Sequence, residues 1–407
     1  MKTTLERFLD YVCWDTCSDE KSVTVPSTPG QIDFAKYLTE ELTAMGIEDV
    51  RLDNKGYIYG SLPANVNGDT PTIGFIAHMD TSPAAKGEGV KPQIHENYDG
   101  GDIVVNKEKN IVLSPSEFQT LSDKIGKTII TSDGTTLLGA DNKAGITEII
   151  EALKFIAENP DIEHSDIKVC FTPDEEIGRG ADYFDVEKFD ADYAYTVDGG
   201  EIGELEYENF NAAGVNIKII GKSVHPGYAY GVMINASSVA SEFHSMIPKD
   251  EVPEKTKDYE GFYMLNSMIG EVDEAKLSYI LRDFDLEKLE IKKNKIREIA
   301  KTLQQKYGED RILVDIKDSY YNMREKIEPV MYIVDLAKES MKQADVEAKI
   351  VPIRGGTDGA RLSYMGLPTP NLFTGGYNFH GYYEYAVAEE MLKAKEVIVN
   401  IVKNNNK

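Results

Sequence analysis

Cysteine is scarce in this chain of 407 residues, which has only Cys13, Cys17 and Cys170. An odd count without repeated CxxC spacing supports neither a disulfide framework nor a zinc ribbon. Cys170 sits among Ile167, Val169 and Phe171 and reads as core. Basic residues are also in deficit. Lys and Arg number 44 against 70 Asp and Glu, a formal net charge of -26. That balance excludes the basic footprint that nucleic-acid binding requires. It also disfavours docking on anionic lipid. By itself the acidity reads as a self-repelling surface. Long apolar runs are missing as well. No window approaches about 18 consecutive apolar residues, so no membrane span is expected. The opening MKTTLERFLDYVCWD has a helical amphipathic pattern and lacks the apolar stretch of a signal peptide. These absences together imply a reducing cytoplasm.

What is present is enough apolar residue, 41% of the chain, to build sizeable cores in two or three domains. Residues 5–12 and 31–45 read as helices, the second with Phe34, Leu38, Leu42 and Met45 on one face. Short apolar strands are predicted at 72–78, 167–172 and 193–197, with a long helix at 142–158. Weaker strand signals fall at 103–105 and 129–131. Strands alternating with helices imply a mainly parallel, doubly wound α/β sheet. Near residue 209 the rhythm changes. Strand 215–220, helix 235–246, strands 262–271 and 276–283, helix 286–307 and strand 312–319 follow the ferredoxin-like order. The α/β pattern then returns with helix 330–343, strand 347–353 and helix 388–403. The expected organisation is a discontinuous catalytic domain, 1–208 and 322–407, carrying an inserted α+β lid at 209–321.

Chemistry-bearing residues gather at predicted strand ends, where open α/β sheets place their ligand crevices. His78-Met79-Asp80 follows the first apolar strand, so one imidazole nitrogen could face Asp80 and the other a metal. Taken alone, the pair is a weak signal and reads first as an ordinary hydrogen-bonded loop histidine. Asp141, in GADNKAG, reads as a ligand or as a helix N-cap. Glu175 and Glu176 are adjacent after strand 167–172. Two glutamates near a low-dielectric cleft call for a cation, one as ligand and one as base, although a solvated acidic turn has the same composition. Asp198 and His380 complete a set of imidazoles and carboxylates that suits two cations sharing one carboxylate. Such nitrogen and oxygen donors favour zinc, with cobalt or manganese as substitutes.

The order H-x-D, G-x-D, E-E, D and a distal H resembles the co-catalytic dinuclear zinc metallopeptidases, which include dipeptidases, carboxypeptidase G and aminoacylases. Within them, several stretches are similar to the peptidase T family of tripeptide aminopeptidases. They are HMDTSPA, LLGADNKAG, TPDEEIGRGAD, VDGGEIGELEYENFNAA, HPGYAYGVMINA, DSYYNMRE and PIRGGTDGARLSYMGLPTPNLFTGGYNFHGYYEY. They span residues 78–385 with no departure at a motif position. The resemblance implies a zinc-peptidase-like fold with two zinc ions per subunit. It implies that Asp141 bridges the metals, that His78 and Asp198 complete one site, and that Glu176 and His380 complete the other. Glu175 would be the general base and Asp80 would orient His78. A cis peptide is implied at Asp141–Asn142. His225 would approach the reacting carbonyl, Arg282 or Arg354 would clamp the peptide carboxylate, and Asn235 would either contact substrate or cap its helix.

The implied substrate is a short peptide with a free N-terminus, chiefly a tripeptide, and the implied assembly is a homodimer through the lid. An N-acyl-amino-acid deacylase or a dipeptidase of the same fold is the near rival. A catalytically silent peptide-binding protein on this scaffold is the rival of another class. Such a protein would be expected to lose Glu175 or a ligand, and all are retained.

Overall fold

A strand covered on both faces has no polar side to show, and Ile73–His78 (IGFIAH) is buried at every position. The computed structural model describes residues 2–68 and 70–406. In it this strand lies between Ile167–Thr172 and Tyr193–Gly199, parallel to both. Asn371–Phe373 adds a further parallel partner to Tyr193–Gly199. The sheet is mixed beyond this parallel centre. One edge is the antiparallel pair Glu48–Leu52 and Ile58–Leu62, and the other carries Glu204–Glu206 and the two-residue strand Lys349–Ile350. The strand expected over 347–353 is thus cut to two residues, and Pro352, which has no N–H, cannot extend the ladder.

Side chains alternate along the central strand and so assign the two covers. Phe75 stacks on Tyr195, whose hydroxyl donates to Ile333 O within the helix Tyr332–Gln343. Helices Ala140–Glu158 and Ala388–Asn404 pack on each other and belong to this layer. Ile76 points the other way, into a cluster with Tyr57, Cys170, Phe184, Phe189 and Leu362. Each large apolar side chain so buried contributes about 1.5–3 kcal/mol. A second, antiparallel sheet joins Gly376–Tyr377, Tyr385–Val387, Ile129–Thr131 and Gln93–His95. The three cysteines are free thiols. Among the described residues no helix is long and apolar enough to cross a membrane.

The chain divides into two units: Met1–Tyr207, Met323–Val351 and Thr357–Lys407 form the first, Glu208–Asn322 and Pro352–Gly356 the second. The second unit is a four-stranded antiparallel sheet in the order Phe262–Gly270, Glu274–Asp283, Asn211–Ile220, Ile312–Tyr320. Helices Ala236–Ser245 and Leu286–Tyr307 pack on it, with Val215, Ile217, Phe243, Leu277, Tyr279 and Ile296 in its core. The strand and helix order is the ferredoxin-like one expected from the sequence.

Glu148, within Ala140–Glu158, has no exposed surface, and neither carboxyl oxygen has a hydrogen-bond partner among the described residues. Burial pushes its pKa well above the usual value, so the fold keeps it protonated. The folded chain then holds a proton that the unfolded chain releases above its own, lower pKa. Stability must fall as pH rises through that window, by about 1.4 kcal/mol per pH unit for this one group. Glu148→Gln is expected to remove this slope and to melt higher than the parent at pH 8. Below pH 4 the two should converge. Thermal melts of both proteins from pH 4 to 8 check this, and parallel curves would contradict it.

Candidate metal centre

The site forms at the carboxyl ends of the central strands. His78 ends its strand and is 3% exposed. Its Nδ1–H faces the Asp80 backbone carbonyl at 3.0 Å, with the Asp80 carboxylate at 3.4 Å. Nε2 is thereby turned to Asp141 Oδ1 at 2.8 Å and Asp198 Oδ1 at 3.2 Å. The Asp80 carboxylate also gathers backbone amides, since Oδ1 accepts from Glu175 N–H at 2.9 Å and Oδ2 from Glu176 N–H at 3.1 Å. A single buried aspartate therefore sets both the imidazole and the paired glutamates.

Asp141 precedes the regular part of the helix Ala140–Glu158. Its φ and ψ of -85° and 102° are not helical, and the Asp141–Asn142 peptide is cis. Asn142, not Asp141, caps the helix, since its Oδ1 accepts from Gly145 N–H at 3.2 Å. The Asp141 carboxylate is left for other partners. Gly145 brings the helix against the sheet: a Cβ there would lie 1.9 Å from Val197 O. That close approach holds Asp141 near Asp198, at the end of Tyr193–Gly199.

On its other side Asp141 Oδ2 lies 3.0 Å from His380 Nε2, which is also 3.0 Å from Glu176 Oε2. Two groups of donors result, His78–Asp141–Asp198 and Asp141–Glu176–His380, each with ligand atoms within 4.8 Å of one another. Asp141 is common to both. Glu175 adjoins the second group and belongs to neither. A pocket of about 470 Å³ opens beside Glu176 and His380, lined by Asp19, Glu20, Lys21 and Ser82–Pro83–Ala84.

The electrostatics favour a cation. Burial pushes Glu175 well above the usual carboxyl range. Burial and then the charge of Asp141 raise Glu176 to about 7. Burial likewise raises Asp198 to about 6, although His78 opposes it. Burial would raise Asp141 too, but hydrogen bonds from His380 and His78 hold it below its ordinary value. The same bonds, from Asp141 and Glu176, lift His380 to about 11. Protons on the imidazoles thus balance the carboxylates, and a divalent cation can replace them. The fit has direct support in the side chains. Among the described residues, Glu176 Oε1 is buried with no hydrogen-bond partner, and Asp198 Oδ1 is buried with His78 Nε2 approaching to 3.2 Å.

The four residues expected to grip substrate all lie in the second unit. His225 is exposed, and its Nδ1 accepts from Gly227 N–H at 3.1 Å. Asn235 caps Ala236–Ser245 by accepting from Ser238 N–H. Arg282 donates to Arg354 O at 2.9 Å, while its buried Nε has no partner among the described residues. Arg354 spends its donors on Asp258 O, Glu260 O and Thr256 O.

Three buried carboxylates around the first unit's site had no role assigned from sequence. Asp174 accepts from Ser27 N–H and Oγ–H and from Gln31 Nε2, fixing the turn before Glu175. Asp358 accepts from Thr172 Oγ1 at 3.0 Å. Glu384 accepts from the amides of Leu138, Gly139 and Asp141. Their signal was faint, because each binds amide or hydroxyl groups far away in sequence.

Comparison with known proteins decides the family. The peptidase dimerisation domain matches residues 207–308, and the M42 glutamyl aminopeptidase family matches residues 104–256. Along nearly the whole length, a peptidase T of Geobacillus sp. (strain WCH70) is 60% identical, covering 98% of this chain and 97% of its own. A second, from Alkaliphilus oremlandii (strain OhILAs), is 57% identical over 99% of each. The chain belongs to the peptidase T family. The crystal structure of aminopeptidase PepT from Bacillus cereus ATCC 10987 shares the fold with a TM-score of 0.78. It is 26% identical and is aligned over 99% of this chain and 98% of that one.

With these two donor groups, the chain should bind two divalent metal ions, zinc serving as the probe, with net release of protons. Its apparent affinity should therefore rise from pH 6 to 8. Asp141→Ala should bind at most one ion, and at least about tenfold more weakly. Calorimetric titrations in buffers of different ionisation enthalpy measure both quantities. A single ion bound by the parent protein, or proton uptake, would refute the arrangement.

Proposed function

We propose that this chain is a metal-dependent aminopeptidase that removes the first residue from short peptides, chiefly tripeptides. The observation that carries the reading is the pair of donor groups sharing Asp141, with the half-buried Glu175 beside them and part of neither. Imidazole and carboxylate donors without thiolate suit zinc, with cobalt or manganese as substitutes. Two such cations, when bound, would polarise the scissile carbonyl and draw the pKa of a water towards neutrality. His78 and Asp198 would hold one, Glu176 and His380 the other, and Asp141 both.

The remaining work falls to side chains of this protein. A Glu175 carboxylate oxygen takes a proton from the attacking water as the new C–O bond forms. It returns that proton to the peptide nitrogen as the C–N bond breaks, releasing a carboxylic acid and an amine. Asp80 fixes the starting point of this shuttle through the Glu175 amide. The same residue turns His78 so that Nε2 faces the reaction.

In this reading, residues of the second unit, taken by themselves, are the candidates for substrate contacts. Arg282 is the better candidate for the substrate carboxylate, because Arg354 is occupied by backbone carbonyls. His225 keeps Nε2 for the substrate carbonyl. Asn235 has committed its side-chain oxygen to a helix cap and keeps only its NH2 group. The dimerisation-domain match over residues 207–308 supports self-association through this unit as well.

Zinc-loaded protein should release the N-terminal residue from a free tripeptide, and much less from the matching dipeptide or the N-acetylated tripeptide. Chelation should abolish the cleavage. Preference for the acetylated form would instead make the protein a deacylase. Glu175→Gln should retain two zinc ions by elemental analysis while kcat falls about 10²–10⁴-fold. Undiminished turnover in that variant would remove Glu175 from the mechanism.

A further inference from the structure

Glu384 touches neither donor group through its own ligand atoms, yet it joins the two chain segments that complete the second one. Its side chain is 2% exposed. Oε2 accepts from Leu138 N–H at 2.8 Å and Gly139 N–H at 3.0 Å, and Oε1 from Asp141 N–H at 3.2 Å. Gly139 is left-handed at φ 85° and Asp141 is non-helical, so the chain there turns its amides towards one point. Converging amides form an anion cradle, here filled by a carboxylate of the protein itself.

The other end of this clamp is the turn that carries His380. Asn378 Nδ2 donates to Tyr383 O at 3.2 Å and Glu384 N–H to Gly381 O at 3.3 Å, closing residues 378–384 into a compact loop. His380 itself is left-handed at φ 65°, and its side chain is 47% exposed. Packing therefore does little to hold the ring. After the turn, Tyr385–Val387 pairs with Ile129–Thr131. The link from this loop to the Asp141 backbone runs through the Glu384 carboxylate. His78 and Asp198, in contrast, sit on central strands of the large sheet and need no such link.

We propose that Glu384 is a positioning residue that docks the His380 turn onto the Asp141 loop, and so sets the affinity of the Glu176–His380 half of the metal centre. The inference rests on the dinuclear reading above. Replacing one carboxyl oxygen with an NH2 group, in Glu384→Gln, sets a donor against backbone N–H donors and opens the clamp. Outer partners of metal ligands typically govern affinity by about 10–100-fold. The loss is expected to be asymmetric: the second zinc ion weakens by that factor while the first stays within about threefold.

Zinc calorimetry and elemental analysis of the parent, Glu384→Gln, His380→Ala and the double variant test this. Circular dichroism of the metal-free proteins establishes that each is folded. Glu384→Gln should resemble His380→Ala, and the double variant should be no weaker than His380→Ala alone, since both act on one half-site. The cobalt-loaded single variants should share the same altered visible absorption spectrum, a readout that a general loss of stability would not move. If Glu384→Gln does not fold, Glu384→Asp, which keeps the charge but shortens the reach, should give the same asymmetry. Two ions bound with parental affinity by the Glu384 variant, or equal weakening of both, would overturn the proposal. A parent protein that fails to bind two ions would instead overturn the dinuclear reading itself.

Discussion

The site depends on one carboxylate facing two imidazoles. Asp141 Oδ1 and Oδ2 lie 2.8 and 3.0 Å from His78 Nε2 and His380 Nε2. This geometry requires the Asp141 side chain to stand clear of the helix it precedes. Asn142 makes that possible by capping the helix in its place. It also requires the helix to lie hard against Tyr193–Gly199, which the missing side chain of Gly145 allows. Remove either condition and the two donor groups lose their common member.

Around this centre, buried carboxylates that face backbone groups do the holding. Asp80 takes the amides of Glu175 and Glu176, Glu384 those of the Asp141 loop, and Asp174 the donors of Ser27 and Gln31. A buried acid is costly when unpaired, and these acids meet that cost with two or three hydrogen bonds each. Glu148 differs from them, with no partner among the described residues and a proton retained by burial. The acidity of the site is therefore divided between carboxylates that face the two imidazoles and carboxylates that face the chain.

Much of the fold was legible because burial on both faces writes itself as uninterrupted apolar runs. IGFIAH is such a run, and IKVCFT is one broken only by the half-buried Lys168; the strands end at His78 and Thr172. The ferredoxin-like unit was legible from its order of strands and helices. Glu204–Glu206 and Asn371–Phe373 were not, since each is three residues long and includes polar side chains rather than an apolar run. Within the site, the strand-end rule drew attention to His78, Glu175, Glu176 and Asp198, and the family resemblance supplied their expected roles. Sequence could not choose between ligand and cap for Asp141, because both uses favour aspartate at a helix start. Only the neighbouring Asn142 amide oxygen, seen in three dimensions, separates them. Glu384, Asp174 and Asp358 were not legible because their partners are amides and hydroxyls, which leave no mark on sequence spacing.

Anomalous diffraction at the zinc edge from crystals grown with zinc tests the central claim most directly. Two peaks about 3.5–4 Å apart are predicted on either side of Asp141, one beside His78 and Asp198 and the other beside Glu176 and His380. A single peak, or two peaks that do not share Asp141, would contradict the account.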